Sequence, residues 1–60
     1  MFDKAGFHVV DSAGNVMTRF ATEKQAMLFA TKQNSPTLLS VVDVYGPDLD
    51  AIVIAEVKGR

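Results

Sequence analysis

The side chains able to do chemistry are few and scattered: His8, Asp43, the pair Asp48 and Asp50, and the serines Ser12, Ser35 and Ser40. Nucleophilic catalysis needs a base within hydrogen-bond reach of the nucleophile, with a third group to orient it. No serine here lies in a Gly-x-Ser-x-Gly elbow. Ser12 and Ser35 occupy turn and helix-end contexts, where a serine hydroxyl bonds nearby backbone. His8 is the single histidine and has no partner recognisable by spacing. Asp48-Leu49-Asp50 has the Asp-x-Asp opening of a calcium loop but lacks its glycine and distal glutamate. The bland reading, turn-forming and solubilising residues, is preferred. The chain has no cysteine, hence no disulfide, no thiolate metal site and no cysteine nucleophile. One histidine alone does not make a structural zinc site. The glycines Gly6, Gly14, Gly46 and Gly59 are dispersed rather than gathered into a phosphate-binding loop. The expectation is no catalytic constellation, no metal and no cofactor.

Those residues must be placed by a chain of 60 residues, long enough for one small domain. Phe7–Asp11 reads as a strand, and Asp11-Ser12-Ala13-Gly14 as a turn. Asp suits the first position of a type I turn, and Gly the fourth in a left-handed conformation. The returning strand spans about 16–21. Thr22-Glu23-Lys24-Gln25 is a capping box that opens a helix over about 23–33, with Glu23 at the positive end of its dipole. Asn34 is a suitable C-terminal cap, and Pro36 disfavours helix in the residue before it. At 100° per residue, Ala26, Phe29, Ala30 and Gln33 share the core face. Leu28 points nearly opposite, between Lys24 and Lys32, with Met27 on the flank. A second hairpin follows, with strands about 38–45 and 51–58 around the loop 46–50. The elements therefore run strand-strand-helix-strand-strand. The fold class is α+β, a ββαββ arrangement with a four-stranded, mainly antiparallel sheet and one helix on one face.

The second hairpin is apolar on both alternations, and strands of that kind expect cover on both faces. With a five-residue loop, Tyr45 pairs with Ala51. One face then carries Leu39, Val41, Asp43, Tyr45, Ala51, Val53, Ala55 and Val57, and the two alanines let the helix approach closely. The other carries Leu38, Ser40, Val42, Val44, Ile52, Ile54, Glu56 and Lys58. Val42, Val44, Ile52 and Ile54 cluster on this helix-free face and form the expected protein interface, since contiguous exposed apolar surface usually marks an interaction site. The stripe Lys24, Met27, Leu28 and Lys32 is a secondary candidate, a leucine framed by lysines fit for an acidic, apolar groove. A one-residue slip of register exchanges the two faces. Asp43, if on the core face, needs a hydrogen-bond partner or a place near the sheet edge.

Charge narrows the partners. Six Lys and Arg stand against seven Asp and Glu, a net charge of −1. This is neither the basic footprint of a nucleic-acid-binding protein nor an acidic DNA mimic. Phe2, Phe7, Phe20, Phe29 and Tyr45 mostly fall at core positions, so an RNA-binding sheet face is not apparent. No apolar run spans a bilayer, and residues 1–6 show no secretory leader. The functional expectation is a small, non-enzymatic protein-interaction module in the cytoplasm. It would act as a homodimer or other homo-oligomer, or as a regulatory adaptor or inhibitor of a larger host protein, of phage or mobile-element type. The alternatives are a nucleic-acid-associated module and an accessory subunit whose site forms between protomers.

Overall fold

The computed structural model of the chain describes residues 2–59, so Met1 and Arg60 lie outside the account. Its elements are β1 (Gly6–Val10), β2 (Val16–Phe20), α1 (Glu23–Gln33), β3 (Leu39–Tyr45) and β4 (Asp50–Val57). The strands form one antiparallel sheet in the order β2-β1-β3-β4. The ββαββ reading is therefore correct. The helix connects the outer strand β2 to β3, which pairs with β1 at the centre of the sheet. β2 and β4 are left as the two edges.

Local chemistry explains the first turn and the helix. The Asp11 carbonyl accepts from the Gly14 amide at 3.0 Å, and Gly14 is left-handed at φ 88°. The Asp11 carboxylate accepts from the amides of Ala13 and Asn15, at 3.0 and 2.9 Å. These bonds satisfy turn donors that strand pairing leaves unmet. Thr22 is extended, and its Oγ1 accepts from the Gln25 amide at 3.3 Å, one of the amides a helix start leaves without an internal partner. The helix ends on Asn34, left-handed at φ 48°, whose amide donates to the Thr31 carbonyl at 3.3 Å. The Gly59 amide then donates to the Ser35 carbonyl at 3.1 Å, tying the segment after β4 to the helix end. A Cβ at Gly59 would run into the Asn34 backbone, so only glycine fits this contact unless something shifts.

The core lies between α1 and one sheet face. Val9, Leu39 and Val41 meet Ala26 and Ala30, with Phe7, Phe20, Met27, Phe29, Ala55 and Val57 packed around them. The Phe20 and Phe29 rings lie 5.5 Å apart, tilted by 50°, a favourable aromatic arrangement. Ala26 and Ala30 allow close approach from the helix side, and of the two sheet alanines expected to do so Ala55 packs on the core while Ala51 lies on the other face. Gln33 is exposed and Met27 half-buried, so the buried stripe is rotated slightly toward Met27 from the one expected.

Candidate functional site

The second hairpin departs from the expected register. Its loop is Gly46–Leu49, with Leu49 left-handed at φ 55° and its amide donating to the Gly46 carbonyl at 3.3 Å. The turn closes one residue early, and Tyr45 pairs with Asp50 rather than Ala51. Near the turn, Val44 therefore sits opposite Ala51, Asp43 opposite Ile52, and Val42 opposite Val53. The ladder then shifts between Val41 and Val42, where Ile54 is the extra residue on β4, and continues with Val41 opposite Ala55 and Leu39 opposite Val57. Such a bulge moves one strand by a residue and swaps its faces. It returns Ala55 and Val57 to the helix side, where both pack on the core.

The expected patch is split as a result. Opposed residues of an antiparallel pair share a face, so Val42 and Val44 lie with Ala51 and Val53, while Ile52 lies with Asp43 on the other face. Val42 is 6 % exposed and Val44 1 %. They are interior residues of this chain and present no surface to a partner. Ile52 and Ile54 do reach solvent, at 53 % and 36 %, and Val53, absent from the expected set, matches Ile52 at 53 %. What remains is the edge strand β4, where Ala51, Ile52, Val53 and Ile54 are consecutive and all exposed. The secondary stripe on α1 has Lys24, Leu28 and Lys32 exposed and Met27 turned partly into the core.

The chemically capable residues do not converge. His8 is opposite Val42 and Asp43 is opposite Phe7, adjacent rows whose side chains project to opposite faces. Asp43 is half-buried in the central strand β3, not at an edge. Asp48 and Asp50 are exposed at the hairpin turn. Among the described residues there is no pocket, and no group of three or more His, Asp or Glu side chains placed to hold a metal ion. No described helix is long and apolar enough to cross a membrane.

His8 is the one buried polar side chain among the described residues, 3 % exposed on the face away from the helix. Its Nε2 lies 2.9 Å from the Lys4 carbonyl, which can only accept, so Nε2 carries the hydrogen. Nδ1 is buried with no described partner. The Phe2 ring stands edge-on to the imidazole, centroids 4.7 Å apart at 64°. Spacing in the sequence did not reveal this site, because its contacts are with backbone and with a segment outside the strands. No protein-family model, curated protein or solved structure matches the chain.

Proposed function

We propose that this chain is a small, non-enzymatic protein-interaction module that docks through the β4 edge, with a second copy of itself as the partner. The observation that carries the reading is the run Ala51-Ile52-Val53-Ile54-Ala55 on an unpaired edge, with its three large residues one-third to one-half exposed. Edge strands offer a row of free backbone groups, and proteins usually blunt them with charge, proline or bulges. Residues 51–55 contain neither charge nor proline. The bulge at Ile54 is one blunting device, yet Asp50–Val53 ahead of it keeps a regular ladder. Pairing two such edges brings no like charges face to face within the run, and it adds main-chain bonds to apolar burial.

Sedimentation equilibrium over a wide concentration range tests this. The unaltered protein should sediment as a dimer at high concentration. Val53→Lys should sediment as a monomer with an unchanged far-UV circular dichroism spectrum. A strict monomer at every concentration, or a dimer indifferent to Val53→Lys, overturns the reading.

A further inference from the structure

Val42 and Val44 are buried yet stand outside the core cluster under the helix. They lie on the face away from α1, and Val44 is flanked in register by Gly6 and Ala51, which have almost no side chain to cover it. The segment of residues 2–5 lies on this same face, against His8, which is opposite Val42 in register. Continued as a straight strand, Lys4 would stand about 13 Å from His8, at roughly 3.3 Å per residue, yet the Lys4 carbonyl is 2.9 Å from His8 Nε2. The chain therefore folds back over this face. The chain bends at Lys4, and Gly6, where β1 begins, has a φ of 138° that L side chains rarely adopt, with a Cβ there meeting the Arg19 side chain and the Phe20 carbonyl at 3.0–3.1 Å.

The described bonds that hold this segment use nothing of the Asp3 or Lys4 side chains, which are exposed. His8 Nε2 donates to the Lys4 carbonyl, and Arg19 Nη1 donates to the Ala5 carbonyl at 3.4 Å. His8 and Arg19 are themselves opposed across β1 and β2. The Phe2 ring against the imidazole is the single aromatic anchor. An anchored ring followed by consecutive backbone carbonyls held by side-chain donors is a way of binding an extended peptide. The fit is incomplete, because Nδ1 keeps a buried acceptor without a donor, a deficit worth about 1–3 kcal/mol in general.

We infer that residues 2–5 are a displaceable strap occupying a peptide-docking site on the helix-free face, and that its displacer is an extended peptide with an aromatic anchor. A peptide that also brings an N–H or O–H to His8 Nδ1 outcompetes the strap. This site borders the β4 edge, since Val42 and Val44 are opposed to Val53 and Ala51, but it is argued from the contacts of residues 2–5 with His8 and Arg19 and does not rest on the edge pairing.

Methyl-resolved NMR on the full chain tests the inference. In the unaltered protein, relaxation dispersion should appear at the Val42 and Val44 methyls and be absent at Val9 and Val41, which pack under the helix. In Phe2→Ala, the Val42 and Val44 methyls should shift. A capped Phe-Asp-Lys-Ala-Gly peptide should restore them at a concentration about tenfold below that needed to perturb the unaltered protein, whose strap competes. Flat dispersion at all four valines overturns the inference. So does an Ala-Asp-Lys-Ala-Gly control that performs as well as the Phe peptide. If Phe2→Ala does not fold, dispersion and peptide competition on the unaltered chain decide the matter.

Discussion

β3 and β4 are neighbours of nearly the same chemistry, Leu-Ser-Val-Val-Asp-Val-Tyr against Asp-Ala-Ile-Val-Ile-Ala-Glu-Val. Their environments are opposite. In β3, Leu39, Val41, Val42 and Val44 are all buried, whereas in β4 every residue from Asp50 to Ile54 is exposed. Composition does not explain the difference; place in the sheet does. β3 has strands on both sides, the helix over Leu39 and Val41, and on the other face the segment of residues 2–5 against His8, the neighbour of Val42. β4 has one neighbour and is covered only at Ala55 and Val57. An apolar strand in a central position is core, and the same kind of strand at an edge is surface available to a partner.

Three substitutions break or sharpen this contrast, in order of expected effect. Val41→Asp puts a carboxylate among Val9, Leu39, Ala26 and Ala30 with no cation at hand. A 60-residue domain has a stability of only a few kcal/mol, roughly 0.05–0.15 per residue, and burying an unpaired charge exceeds that. The expected result is loss of the cooperative thermal transition in circular dichroism, and a variant that still melts cooperatively contradicts the central placement of β3. Leu39→Ala should fold but lose about 2–5 kcal/mol, as large-to-small core changes do, read as a lower urea midpoint at unchanged slope. Ile52→Thr keeps a β-branched residue at an exposed position and should alter monomer stability by no more than about 0.5 kcal/mol. A loss at Ile52 as large as that at Leu39 would mean that β4 is as buried as β3, and the contrast would be gone.

Much of the architecture was legible beforehand. Asp11 and Gly14 marked the first turn, Thr22 and Asn34 marked the helix ends, and all four act there as expected. Which residues of the second hairpin reach the surface was legible only in part. Ile52 and Ile54 are on the surface, but Val42 and Val44 are inside, and Val53 was assigned to the wrong face near the turn. The error came from one residue of loop length. A left-handed Leu49 closes the turn early, leucine gives no signal for that conformation, and the compensating bulge at Ile54 depends on the packing of Ala55 and Val57 under the helix. The burial of Val42 and Val44 was not legible either, and neither was the contact of Phe2 with His8, which depends on the bend at Lys4.

By itself, the sequence determined the four strands, the helix, its caps and the first turn. Each depends on residues within a few positions of one another, where capping bonds and turn geometry act. Tertiary structure alone decided that β3 is central and β4 an edge, that the second hairpin is slipped and then corrected by a bulge, and that residues 2–5 fold back onto His8. Those outcomes rest on contacts between residues far apart in the chain. Two strands with the same apolar pattern satisfy such contacts equally well until the other elements have taken their places.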